Sequence, residues 1–327
     1  MVPDAKKTWG GRVNSVTIGA TQAEGGTRGF VVTIGGSATL PFLDFEGQCG
    51  RPSVAMEICD VDPKEWPDLV RQPFGDVLGD PVRWAQKCLE LGADLICLRL
   101  DGCHPERGNR SPAEAAQTVK AVLQGMPAPL IIWGTGNADK DNEVFPAVAE
   151  AAAGENCLIG SITEDNYKTL VAVCTAYKHK IIAESPCDVN MAKQVNILAQ
   201  DMGFPVENMV IYPTCAALGY GLEYIYSVME RGRLAGLKGD RMLAQPIICD
   251  IGIEAWGVKE ARVSEEEIPE WGPQRQRAPL WEASTAIACL VAGGDLLILR
   301  HPEAVQAVKK TIAQLTAVSV SAAAAAA

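Results

Sequence analysis

Basic charge is scarce in this chain and never clustered. Lysine and arginine number 29 against 40 aspartates and glutamates, a net charge of −11 over 327 residues. A nucleic-acid-binding face needs a basic block, so nucleic acid is excluded as a partner. No apolar run is long enough to span a bilayer. The opening Met-Val-Pro-Asp-Ala-Lys-Lys lacks the apolar core of a signal peptide. A cytoplasmic protein without membrane contact is expected. Histidine is rarer still: His104, His179 and His301 are the full set. A zinc hydrolase needs several histidines together, and His104 and His301 are each followed by proline, which reads as loop punctuation. Cysteine is not scarce, with eleven residues, but no Cys-x-x-Cys pair or tight group of four occurs. That argues against an iron–sulfur cluster held by this chain alone. Most cysteines sit in apolar runs, as Cys97, Cys157, Cys249 and Cys289 do, and read as reduced, buried thiols.

What is present is a rhythm. Residues 92–101 read Gly-Ala-Asp-Leu-Ile-Cys-Leu-Arg-Leu-Asp, a short apolar run that suits a strand buried on both faces. A helix-like segment leads into it, opened by Asp80-Pro81 as N-cap and first helical residue. The unit returns at 293–301 as Gly-Gly-Asp-Leu-Leu-Ile-Leu-Arg-His, so that Asp94 matches Asp295 and Arg99 matches Arg300. Further strands are expected at 53–59, 129–133, 156–162, 180–184, 208–212 and 246–251, with 295–299 closing the set. Helices are expected at 80–91, 113–124, 141–153, 166–177, 189–202, within 221–237, at 280–291 and at 302–315. Alternation with crossover helices requires parallel strands. Eight such units over about 250 residues is the size of a closed TIM (β/α)₈ barrel, an α/β fold. An open doubly wound sheet is the rival, but Glu57-Ile58-Cys59-Asp60 after the first strand is no phosphate loop. Three segments are expected: an N-terminal β-hairpin extension over 1–50, the barrel over 51–316, and a tail over 317–327. The tail ends in unbroken alanine and carries no inference.

Sites in such barrels form at the carboxyl ends of the strands. There the chain offers Glu57, Arg99, Asp101, Thr135, Asn137, Thr163, Glu184, Ser185, Thr214, Asp250, Gly252, Glu254 and Arg300. One reading is an internal ionic layer, with Arg99 and Arg300 tying Glu57, Asp101 and Glu184; a ligand-binding mouth is the equal alternative. Several chemistries fall away. A Schiff-base aldolase needs a lysine at a strand's carboxyl end, and Lys180 stands at the opposite end of its strand. A phosphate-binding barrel wants a glycine-rich loop after its last strands, where this chain has His301-Pro302-Glu303. Two long loops flank the mouth, 60–79 and 252–279. Their Trp66, Trp256 and Trp271 are costly to leave in water and suggest a docking surface or lid.

The segments IGATQAEGGTR (18–28), DPVRWAQKCLELGADLICLRLDG (80–102), AAAGENCLIG (151–160), LGYGLEY (218–224) and RHPEAV (300–305), in this order and spacing, closely resemble the small-subunit family of the corrinoid iron–sulfur protein of the reductive acetyl-CoA pathway. That family is related to the delta subunit of acetyl-CoA decarbonylase/synthase, and the resemblance is collinear up to the alanine tail. It implies a barrel paired with a larger subunit as a heterodimer. The large subunit is then expected to carry the [4Fe–4S] cluster and a corrinoid-binding domain, with the corrinoid (a cobamide) shared over this barrel's mouth. The complex carries a methyl group from methyltetrahydrofolate, by way of a methyltransferase, to acetyl-CoA synthase/CO dehydrogenase. On this reading the chain has no catalytic residue and no metal ligand of its own. The residues expected to touch the corrinoid are Arg99, Asp101, Thr135, Asn137, Glu184, Ser185, Thr214, Gly252, Glu254 and Arg300.

The sixth strand departs from the family pattern. It ends Tyr212-Pro213-Thr214-Cys215-Ala216-Ala217 where the family usually has Asp-Pro before a glycine pair. Tyr212 is expected to stack or hydrogen-bond where an aspartate would accept. Cys103, Cys187 and Cys215 lie near the mouth. Two other functions stay open at this level. One is a pterin-dependent methyltransferase on the same barrel, with Asp101, Asn137 and Glu184 as pterin partners. The other is an inert scaffold.

Overall fold

The computed structural model describes residues 6–325, with side chains through residue 317. It opens with an antiparallel hairpin of β1 (Ser15–Ile18) and β2 (Val32–Gly35), in the register Ser15 to Gly35. Eight strands follow: β3 (Ser53–Cys59), β4 (Leu95–Arg99), β5 (Leu130–Trp133), β6 (Leu158–Ile162), β7 (Lys180–Glu184), β8 (Met209–Tyr212), β9 (Ile248–Asp250) and β10 (Leu296–Leu299). Neighbours pair in parallel in the order β8-β7-β6-β5-β4-β3-β10-β9. The ring is completed by a single bridge between Ile211 and Ile247, in which Ile211 N donates to Pro246 O at 2.8 Å. This is the closed parallel barrel that alternation implied.

The helices between strands are α1 (Asp68–Arg71), α2 (Pro81–Glu90), α3 (Pro112–Gly125), α4 (Ala138–Ala151), α5 (Tyr167–Tyr177), α6 (Val189–Asp201), α7 (Leu222–Leu237), α8 (Ile251–Ala255), α9 (Lys259–Arg262), α10 (Gln274–Ala292) and α11 (Pro302–Ala325). Asp80 caps α2, accepting from Val82 N and Arg83 N, with Pro81 in the first turn. Ser111 and Glu114 form a reciprocal capping box on α3. Two expectations shift. The excursion 252–279 is partly helical, as α8, α9 and a 3-10 turn at Pro269–Trp271. And α10 begins at Gln274, six residues before the position suggested by Pro279. That proline is carried inside the helix and loses one ladder bond. Arg277 stabilises the early turns by donating to Glu260 O, Gly272 O and Val263 O.

Two shells of core follow from the period-two alternation of the strands. Outward-facing residues pack against the helices. Inward-facing Ala55, Leu95, Cys97, Ile131, Leu158, Ile182, Val210, Ile248, Leu296 and Ile298 fill the barrel. The hairpin plugs its amino-terminal end: Val16, Ile18 and Ile34 join this inner cluster, and Asn156 at the foot of β6 donates to Thr17 O and Gly19 O. Arg28, almost wholly buried, ties the hairpin down through Glu155 at 2.7 Å and the carbonyls of Leu123, Met126 and Ala128. The repeated aspartate has one job in both places. Asp94 accepts the amide of Val54 at 2.9 Å, and Asp295 accepts that of Ile247 at 2.9 Å, each satisfying the foot of the neighbouring strand. A cation holds each carboxylate, Lys309 for Asp94 and Arg233 for Asp295, both at 2.6 Å.

Candidate functional site

Continuing the alternation by one step puts Glu57, Arg99, Asp250 and Arg300 inward at the top of the barrel. There they form a closed lattice. Arg99 Nε donates to Glu57 Oε1 at 2.9 Å, and its other arm reaches Asp250 Oδ2 at 2.6 Å. Arg300 forks onto the same glutamate, Nε to Oε2 and Nη2 to Oε1, both at 2.9 Å. Burial pushes the Glu57 carboxyl up, but Arg300 and Arg99 outweigh it and hold it down at about 2. Asp250 moves the other way: burial raises it, Arg99 opposes and Glu57 adds to the rise, and its Oδ1 has no hydrogen-bond partner. Aromatic rings cover the guanidinium planes, Trp66 at 4.2 Å from Arg300 and Trp133 at 5.1 Å from Arg99. Tyr212 meets Trp133 edge to face at 5.0 Å, so the departure at the sixth strand is resolved as stacking.

Above this floor lies a cavity of about 260 Å³. Of the residues expected at a site, Arg99, Asp101, Thr135 and Arg300 line it, joined by Trp66, Arg107, Ile253 and Trp256. The others do not reach its wall. Asn137 is the N-cap of α4, accepting from Lys140 N at 3.0 Å. Thr214 holds a left-handed backbone, φ +64°, and donates to Pro213 O at 2.6 Å. Ser185 is fully buried and its hydroxyl is unpartnered. Gly252 is a spacer: a Cβ there would stand 2.7 Å from the Cγ of Arg300. Glu184 receives the Ser161 hydroxyl, and burial raises both its carboxyl and that of Glu254. The ionic layer is therefore composed differently from the expectation. Asp250 takes the place given to Asp101 and Glu184, because Asp101 turns to Arg107 at 2.5 Å.

The three loop tryptophans divide. Trp66 and Trp256 are buried, and Trp271 is only half-buried. Trp256 is anchored by a residue not singled out in the sequence. Glu282, fully buried on α10, accepts from Trp256 Nε1 at 2.9 Å, Arg300 N at 2.6 Å and His301 N at 3.1 Å. Burial raises its carboxyl to about 7 against these three donors. Its signal was the lone charged residue in the stretch 278–292. At the opposite end of the barrel, Lys180 Nζ meets Asn208 and His179 meets Ala149 O and Cys157 N, well away from the mouth. Cys103 and Cys215 are buried and Cys187 is exposed. Among the described residues, no group of three or more His, Cys, Asp or Glu side chains is placed to hold a metal ion.

The cap role of Asn137 is separable from a ligand role. Asn137→Ala is expected to lower folding stability by about 1 kcal/mol, read by urea unfolding, and to change binding at the mouth less than twofold. A tenfold binding loss without a stability change would reverse that assignment.

Residues 15–315 match the family model described as CO dehydrogenase/acetyl-CoA synthase delta subunit. The acetyl-CoA decarbonylase/synthase complex subunit delta of Archaeoglobus fulgidus is 38% identical over 312 residues, covering 93% of this chain and 69% of that protein. Its counterpart in Methanocaldococcus jannaschii is 38% identical over 308 residues, covering 94% and 75%. Among solved structures, dihydropteroate synthases share the barrel. The Coxiella burnetii enzyme in complex with pteroic acid superposes with a TM-score of 0.56 at 13% identity, over 82% of this chain and 94% of that one. The Xanthomonas albilineans enzyme in complex with 7,8-dihydropteroate gives 0.55 at 16%, over 82% and 94%. At that identity the likeness is one of fold alone.

Proposed function

Since the chain belongs to the CO dehydrogenase/acetyl-CoA synthase delta subunit family, we propose that it is the non-catalytic barrel of a methyl carrier, covering a corrinoid held jointly with a larger subunit. The carrier would receive its methyl group from methyltetrahydrofolate by way of a methyltransferase and deliver it to acetyl-CoA synthase/CO dehydrogenase. The larger subunit would hold the [4Fe–4S] cluster.

One observation carries this reading: the arginines in the floor of the mouth are already paired. Both are committed to Glu57 and Asp250, which makes a rigid floor suited to supporting something that lies on it. The residues present suit a corrinoid. Its rim of amide arms calls for dispersed donors and acceptors beside apolar surface. Arg107 supplies donors, Asp101 an acceptor, and Ile253 and the edges of Trp66 and Trp256 the apolar contact, while Thr135, its hydroxyl held by Asp141, completes the wall. The unpartnered Ser185 Oγ and Asp250 Oδ1 lie just behind. Asn137, Glu184, Thr214, Gly252 and Glu254 shape the surround. When bound, the corrinoid supplies a cobalt centre that takes up and releases methyl groups. This chain's part is to orient it and exclude water, which needs rigidity more than reactivity. The pterin-enzyme alternative loses ground on geometry, since Asn137 and Glu184 do not line the cavity with Asp101.

The test is anaerobic co-production with the larger subunit. Stoichiometric corrinoid, read by absorbance, is expected in the pair and little in this chain alone, and Arg107→Ala should cut retention in the pair several-fold. Stoichiometric corrinoid on the isolated chain, or tight binding of methyltetrahydrofolate to it, overturns the reading.

A further inference from the structure

A second concavity, larger than the mouth and sharing none of its lining, lies on the flank of the barrel between the 218–221 loop, the 271–273 turn and α10. It measures about 610 Å³ and is walled chiefly by Leu218, Trp271, Pro273, Leu280 and Trp281. Exposed apolar residues gather around it. Leu280 is 65% exposed, Tyr224 67%, Tyr220 50% and Leu218 37%, four of the nine large apolar side chains that face solvent among the described residues. Three of those four fall within seven consecutive residues, 218–224. Such crowding marks an interaction site rather than scattered surface.

Two polar atoms in the groove wall are buried without hydrogen-bond partners, Trp281 Nε1 and Glu260 Oε2. One is a donor and the other an acceptor, the complement of a peptide group. Native proteins rarely leave such atoms unpaired, and the Tyr220 hydroxyl already leans on the Glu260 carboxylate, which ties the exposed tyrosine to the groove wall. The border is acidic. The segment leading into Trp271 carries exposed Glu265, Glu266, Glu267 and Glu270, and Glu223 is exposed on α7, against exposed Lys259, Arg262 and Arg275. The apolar patch runs past the groove onto Tyr220 and Tyr224, which favours a macromolecule over a small ligand.

We propose that this groove docks a segment of another subunit of the complex, one in which a large apolar side chain is flanked by lysine or arginine. The apolar side chain enters between Leu218, Leu280 and Trp281, and its basic neighbours face the glutamates. This rests on the reading that the chain works within a complex, and adds to it a surface separate from the mouth.

The experiment mixes the full chain with its cognate complex subunits and reads affinity together with amide exchange over 218–224 and 271–284. Protection of both segments is expected on assembly. Leu280→Arg, at a position exposed enough to leave the fold intact, should weaken association about tenfold, and Glu265, Glu266 and Glu267 replaced together by glutamine should flatten the salt dependence. Normal assembly of Leu280→Arg with both segments still exchanging overturns the groove assignment while leaving the complex intact. Failure to associate with any subunit overturns the underlying reading instead. Self-association of the isolated chain abolished by Leu280→Arg makes the occupant a second copy, and an organic molecule co-purifying in the groove makes it a small ligand; either result displaces the proposal.

Discussion

Glu57→Ala is expected to cost about 3–5 kcal/mol of folding stability, the range for removing one partner from a buried ionic group. Glu57 has no solvent exposure and, among the described residues, is the carboxylate shared by both mouth arginines. Without it Arg300 loses both of its carboxylate contacts, and Arg99 keeps only Asp250. The loss is desolvated positive charge left uncompensated, more than lost contact area. Denaturant unfolding of the purified variant reads it, with soluble yield as a second measure where the variant is too unstable to purify. A loss below about 1 kcal/mol would show that the lattice contributes little. The companion variant replaces Glu57, Arg99 and Arg300 with apolar residues and Asp250 with asparagine. It should recover much of the stability, yet lose the retention of whatever sits above the floor. The pH profile agrees in sign. The folded carboxyl at about 2 lies below its unfolded value near 4.5, so its stabilising contribution is complete above 4.5 and fades as pH falls through 2.

Glu282 should show the opposite slope. Burial raises its carboxyl to about 7, so the folded chain keeps a proton that the unfolded chain releases near 4.5. Stability therefore falls as pH rises across that window, by about 3 kcal/mol for this one fully buried group. Asp60, raised by burial to about 6, adds a slope of the same sign, while His301, lowered by burial, works against it. Comparison with Glu282→Gln isolates the residue. The stability of wild type relative to the variant should decline by about 3 kcal/mol between pH 4 and pH 8, measured by urea unfolding at each pH. Parallel curves would mean that the three N–H donors hold the group ionised throughout. The variant also sets an amide against N–H groups of Trp256, Arg300 and His301, so Arg300 should loosen and the mouth cavity with it.

The barrel was legible because its signals are local. Each strand is a short apolar run between a glycine or proline and a cap, and the caps at Asp80 and Ser111 are complete within four residues. The repeat of Asp94 with Arg99 as Asp295 with Arg300 carried more than rhythm, since both aspartates pair the foot of a neighbouring strand and both arginines enter the lattice. What could not be read was which partner each charge chooses. Asp250 and Asp101 are equally plausible in sequence for Arg99, and the barrel's stagger decides for Asp250. Glu282 lies eighteen residues from Arg300 on a helix whose face is set only by packing. Trp66 and Trp256 fall in loops that suggested a docking surface or lid, but the chain folds them inward, Trp66 over Arg300 and Trp256 against His301. Thr135 and Asn137 occupy strand-end positions as expected, yet they spend their polar atoms on starting α4.

The plug at the base of the barrel bears on the order of assembly. Asn14 hydrogen-bonds Gln245, 231 residues later, and Val16, Ile18 and Ile34 find their seat only among strands that extend to residue 298. During synthesis the hairpin therefore emerges ahead of every barrel strand, its greasy face uncovered until nearly the whole ring exists. Nascent chains halted before residue 295 should be the species that chaperones recognise and that aggregate, and the seating of the hairpin should be among the last events to complete the native state.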